Sequence, residues 1–241
     1  MHFILSGLAE AWHLICHPDA QLRSVVTVTL ELAFGSTVVA LVLGVPLGLA
    51  LGIGRFRGRR VALIAANGGF GLPPVLVGLV VFLLISRSGP LGALDLVYTV
   101  PGMVVAQTIL NLPIVVAIVA TGAQAVSPNL LEQSRALGAS FTQSMLLAMA
   151  EARVSVMVAA VACIGASFSE VGAVVIVGGN INLQTQTIAG AILTTVAQGR
   201  YSEAIALGVI LLGVVLVLTA FATLVQHGRR TDARAVRRIA V

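Results

Sequence analysis

The chain has 241 residues, of which 58% are hydrophobic and only 10% charged, with a mean hydropathy of +1.05. So few charges cannot cover a soluble domain of this length, which excludes a soluble enzyme, a disordered chain and a coiled coil. All 14 basic residues are arginine, and without lysine there is no P-loop and no Schiff-base chemistry.

Residues 1–24 are too polar and too poor in early basic charge for a secretory signal. Phe3, Leu8, Trp12 and Ile15 recur at helical spacing, which predicts an interfacial helix outside the membrane. His13 and His17 flank Cys16, but no fourth ligand is in view, so no metal is expected. Cys163 lies mid-run among apolar residues and reads as packing.

A transmembrane helix needs about 20 mostly apolar residues. Five stretches qualify: 25–54, 61–85, 101–123, 154–177 and 205–226. The first is longer than the hydrocarbon requires, so tilt or projection is expected. The second holds Asn67, Gly68, Gly69, Gly71, Pro73 and Pro74, and the third Asn111 and Pro113. Proline removes a helical hydrogen bond, so both read as kinked inner helices. The fold class is an all-α polytopic membrane protein.

The links 55–60 and 124–153 and the tail 227–241 together carry 11 arginines, against 3 in residues 1–24, 86–100 and 178–204. That bias puts the N-terminus outside and the C-terminus in the cytoplasm. Arginines clustered between apolar runs fit membrane topology, so the pI near 10.6 does not indicate nucleic acid. The chain divides into an extracytoplasmic segment 1–24, a transmembrane domain 25–226 and a basic tail 227–241.

The segment 127–153 links two spans without reading as a loop. Asn129 with Glu132, and Ser140 with Gln143, have capping-box spacing, and Gly138 falls between them as a helix stop. Two short cytoplasmic helices are predicted. The first shows Leu130, Leu131 and Leu137 among Glu132, Ser134 and Arg135, a surface for a partner. At the opposite side, 178–204 is polar from Asn180 to Thr187. Its short apolar piece, Ile188 to Ala197, cannot span a bilayer and reads as a re-entrant helix.

Glu132, Gln133, Ser134 and Gly138 resemble the E-A-A-x-x-x-G loop of ABC importer permeases, although the I-x-L-P end is replaced by Ala148, Met149, Ala150 and Glu151. GLPPVLVGLVVFLLISRSGPLG (71–92), AQTILNLPIVVA (106–117) and SEVGAVVIVGGNINLQTQTIAGAILT (169–194) are similar to Tup-type tungstate permeases, relatives of molybdate permeases. The resemblance spans about residues 24–226. It implies a type I importer permease in a prokaryotic inner membrane, working as a homodimer with two ATPase subunits that use the ATP. An extracytoplasmic binding protein delivers the cargo. It also implies that the helix around Glu132, Gln133, Ser134, Leu137 and Gly138 docks on the ATPase.

Two carboxylates fall inside the predicted spans, Glu31 and Glu170, at similar depth. Intramembrane acids are functional candidates. A path for a dianion should not attract its cargo with carboxylates, so Glu170 reads as a gate or hydrogen-bonding group and Glu31 as packing. Amides, hydroxyls and glycines near the outer mouth complete the gate candidates: Gly172, Gly178, Gly179, Asn180, Asn182, Thr185 and Thr187. A molybdate or sulfate permease is the near alternative, and a lone secondary transporter or channel the distant one. Ser167 or Ser169 as a nucleophile lacks a histidine inside a span, so no enzyme activity is expected.

Overall fold

The computed structural model describes residues 2–54, 56–126, 132–134 and 136–239. Among them the regular elements are all helical: α1 (His2–Cys16), α2 (Ala20–Ile53), α3 (Arg59–Gly68), α4 (Pro74–Ile85), α5 (Val100–Gln124), α6 (Phe141–Glu151), α7 (Arg153–Ser169), α8 (Gly172–Gly178), α9 (Ile188–Ala197) and α10 (Tyr201–Ile239). Three are long and apolar enough to cross a membrane alone: α2, α5 and the Tyr201–Ala220 part of α10. Bent pairs raise the number of candidate spans to five. The expected domain limits at 24/25 and 226/227 fall inside α2 and α10, which run through them unbroken.

The centre is the pair α2 and α5, packed in the same direction. Gly35 faces Val104, Gly44 faces Val115, Gly48 faces Val119 and Gly52 faces Ala123. Gly44, Gly48 and Gly52, four residues apart, remove side chains from one stripe of α2. The backbones then approach closely, and dispersion replaces the hydrophobic drive that lipid cannot supply. α7 runs antiparallel to α5, with Ser155 against Gly122 and Cys163 and Ser167 against Asn111. The resulting core holds Val45, Leu49, Val115, Val119, Ala159 and Cys163.

This register sets depth. Arg59 donates from Nε to Leu51 O (2.6 Å) and from Nη2 to Gly52 O (3.1 Å), closing the last carbonyls of α2. That marks the basic end of the bundle, beside Arg57 and Arg60. Hydrocarbon of about 30 Å is about 20 residues of helix. Counted from Ile53 and Gln124, it ends near residue 33 of α2 and residue 104 of α5. The surplus length of α2 therefore projects beyond the far end. Glu31 is exposed on α2 close to that end.

Two expected spans are broken: 61–85, expected to be kinked, and 154–177, expected to be continuous. Residues 61–85 form α3 and α4, bent by 102°. Leu72 and Pro73 are extended, as residues before proline must be, and Pro74 starts α4 at a position where no amide is needed. Residues 154–177 form α7 and α8. α7, about 25 Å long by helical rise, stops at Ser169, and Glu170 is extended with ψ 125°. α5 is unbroken, with Pro113 inside the helix.

α1 does not rest on lipid alone. Gly7 fits against Ile205 of α10, and the Ser6 and Ser202 hydroxyls are 2.9 Å apart. Ala11 is buried, while Leu8, Trp12 and Ile15 of the predicted apolar face are exposed.

Candidate functional site

The two breaks meet. A Cβ on Gly172 would lie 2.8 Å from Val75 Cγ2, and one on Gly78 would lie 2.6 Å from Ala173 Cα. Only glycine lets the starts of α4 and α8 cross so closely. Glu170, half-buried between α7 and α8, accepts a hydrogen bond from Ala173 N at Oε1 (3.2 Å). Its carboxylate thus satisfies an amide that the broken helix leaves free. Since Ser167 is level with Asn111, Glu170 lies about 5 Å nearer the far end by helical rise. By the same count that is about 6 Å inside the edge of the hydrocarbon.

Beyond α8 the chain turns sharply. Gly178 packs on Met103 and Gly179 on Tyr98. Gly179 (φ 72°), Asn180 (φ 51°) and Leu183 (φ 61°) are left-handed. Most of the expected gate side chains hold this turn together. Asn180 Nδ2 donates to Thr194 Oγ1 (2.8 Å) and Gly190 O (3.3 Å). Thr185 Oγ1 donates to Gly178 O (2.5 Å) and accepts from Ile181 N (3.1 Å). Thr187 caps α9 by accepting from Gly190 N (3.1 Å), and Ile188 N donates to Thr29 Oγ1 on α2 (2.9 Å). Thr185 and Thr187 are buried, whereas Asn182 is exposed. α9, with Ile188 and Ala191, then packs on Leu22, Val25, Leu207 and Ile210 of α2 and α10.

At the basic end the second expected helix is present as α6, and the first is described only in part. Glu132, Gln133 and Ser134 are helical. Ala139 N donates to Ser134 O (3.0 Å) across Gly138, whose φ of +87° makes it the left-handed stop. Leu137 beside it is 89% exposed, and Glu132 and Gln133 are exposed too. Ser140 and Gln143 form a reciprocal capping box on α6, which turns 68° into α7. Ala148 seats α6 in the central core. Residues 127–131 and Arg135, with the expected Asn129 cap and Leu130 and Leu131, lie outside the described residues.

One cluster escaped the reading of the sequence. Asn111, fully buried, donates from Nδ2 to Ser167 Oγ (3.1 Å) and Ser36 Oγ (3.3 Å), and Gln107 Nε2 donates to Asn111 Oδ1 (3.4 Å). This knot ties α2, α5 and α7. Its one visible signal is two amides, Gln107 and Asn111, four apart in an apolar run. Ser167 also donates to Cys163 O, and Ser169 to Ala166 O, so both hydroxyls bond the backbone. Among the described residues no three His, Cys, Asp or Glu side chains converge as for a metal, and the His13 and His17 rings stack at 5.3 Å.

Residues 44–231 match the family described as binding-protein-dependent transport system inner membrane component. A probable anion ABC transporter permease protein of Haloferax volcanii is 39% identical over 204 residues, 83% of this chain and 88% of that one. The tungstate uptake system permease protein TupB of Peptoclostridium acidaminophilum is 32% identical, over 91% of this chain and 96% of its own. In structure, the chain resembles a bacterial ABC transporter involved in the import of the acidic polysaccharide alginate, with TM-score 0.73 and 19% identity over 90% of this chain and 82% of that one. That likeness fixes the fold alone.

Proposed function

The chain belongs to the binding-protein-dependent transport system inner membrane components, and on that premise we propose that it is the permease of an ATP-driven tungstate importer. The likeness to an anion permease and to a tungstate permease over most of both chains carries the choice of cargo. The basic end is cytoplasmic and the far end, with α1 and the projecting turns of α2, is outside, as the arginine bias indicates. Two copies form the pathway, with two ATPase subunits beneath and a binding protein above.

The observation that best supports this division of labour is Leu137. An apolar side chain 89% exposed beside a left-handed stop, on the basic side, suits a groove on another protein. The chain has no lysine for a P-loop of its own. ATP binding closes the partner ATPases, moves this helix, and swings the spans between inward-open and outward-open by rigid-body motion. Glu170 holds α8 at the outer gate by its bond to Ala173 N, and Asn182 is the expected gate residue left facing outward.

Proteoliposomes holding the permease, ATPase and binding protein test the reading. Tungstate uptake that needs ATP and the binding protein, and that exceeds molybdate and sulfate uptake, is the expected result. Uptake by the permease alone would instead identify a self-sufficient carrier.

A further inference from the structure

We propose that the uncovered face of α3 lines the cytoplasmic half of the pathway, with the Asn67 amide as a transient hydrogen-bond donor to the passing oxyanion. This rests on the transport function proposed above. α3 packs on its neighbours along one stripe, where Ala62, Leu63 and Ala66 meet Leu51, Val116, Ala117 and Ala120. Its other faces are bare. Arg60, Ile64, Asn67 and Gly68 are all exposed and share one face by their spacing of four, seven and eight residues.

Depth makes this face unusual. Gly69 is pressed against Pro113 of α5, ten residues from Ala123 at the basic end. That is about 15 Å, half of the hydrocarbon thickness. Asn67 therefore sits near mid-bilayer. Its Nδ2 donates once, to Leu63 O (2.8 Å). An amide nitrogen carries two hydrogens and the oxygen two lone pairs, and the remaining sites meet no partner among the described residues. Facing hydrocarbon, such groups would be left without partners, which is costly.

The backbone beside it makes the same demand. Phe70, Gly71, Leu72 and Pro73 form the break between α3 and α4 and are exposed, and among the described residues nothing beyond the adjoining backbone lies within 4 Å of a Cβ built on Gly68 or Gly71. Irregular backbone at this depth persists only when buried in protein or facing a water-filled cavity, and the described residues of this chain do not bury it. The chemistry suits an oxyanion: a neutral amide donor at mid-depth, open space around glycine, and Arg60 two turns below, without an ion pair among the described residues. The amide binds weakly enough to release, and the guanidinium draws the dianion onward.

The test uses the assembled transporter in proteoliposomes with Cys16→Ser, Cys163→Ala and Asn67→Cys. A charged, membrane-impermeant thiosulfonate is expected to label position 67, and tungstate to slow the labelling. Labelling only by a lipid-soluble maleimide would place Asn67 against lipid and overturn the proposal. A disulfide between the two copies at position 67, with no labelling by the charged reagent, would overturn it too, because a second copy then covers the face. In uptake, Asn67→Asp should fall on the order of tenfold, about 1.4 kcal/mol, while Asn67→Ser keeps most of the rate at equal assembly and ATPase activity. Equal uptake by both variants would remove the contact. A wild type that moves no oxyanion would overturn the proposed function instead, and the labelling pattern alone then decides where Asn67 faces.

Discussion

A Cβ placed on Gly48 would stand 2.8 Å from the Cβ of Val119 and 3.0 Å from the carbonyl oxygen of Val116. Gly44 with Val115 and Gly52 with Ala123 repeat the relationship one turn away on either side. Any side chain here must push α2 and α5 apart along the whole seam.

Gly48→Leu should therefore lower the melting temperature of the detergent-purified permease. Overpacking of this kind costs about 1–3 kcal/mol. Gly213→Ala is the control, because nothing lies within 4 Å of its Cβ position and α10 is helical there. Its melting temperature should hold or rise. Equal melting of both variants would show that the seam tolerates separation.

The knot at Asn111 predicts coupling between helices. Asn111→Leu removes the donor to Ser36 and Ser167 and should destabilise by about 1–2 kcal/mol. A double-mutant cycle with Ser167→Ala should show coupling of about 0.5 kcal/mol or more. Strict additivity would mean that the two side chains act separately.

Leu137→Ser should leave the isolated permease as stable as wild type, because so exposed a side chain supports no internal packing. Co-purification with the ATPase should drop. Gly138→Leu should weaken association as well, and with added strain of about 1–2 kcal/mol from the left-handed backbone. Normal assembly in both variants would move the docking surface elsewhere.

Glu170→Gln keeps an oxygen that can accept from Ala173 N, whereas Glu170→Ala leaves that amide without its acceptor. Uptake should be mildly reduced in the first and strongly in the second. Loss of similar size in both would show that the negative charge, and not the hydrogen bond, is what the gate uses.

Which of these features could be read from the sequence follows from the range of the forces involved. Gly138 and the Ser140–Gln143 box were legible because a cap is local: donor, acceptor and stop lie within a few residues. The break at Pro73–Pro74 was partly legible, since proline announces it but does not set the 102° angle. The break at Glu170 was not, because no proline marks it and the apolar run continues through Val177. The depth of Glu31 depends on the α2–α5 register, and the knot joins positions 36, 111 and 167. Such alignments between distant helices leave no periodic trace. The polar run 180–187 reads as a set of gate candidates, but the sequence does not show that Asn180, Thr185 and Thr187 bond to groups in and beside their own turn. Composition cannot tell a donor that is free from one already engaged.

The glycine seam also has a history within each chain's synthesis. Gly48 and Val119 are about 70 residues apart, so at about 5–20 residues per second α2 is made roughly 4 to 14 s before its partner. Throughout that interval Gly44, Gly48 and Gly52 present lipid with a bare backbone stripe, the kind through which small-residue helices associate. A nascent fragment that ends before Val100 has no second strip of its own to close over this one. Pairing with another membrane helix is then its default fate, and completion of α5 is the step that turns a sticky fragment into a self-contained bundle.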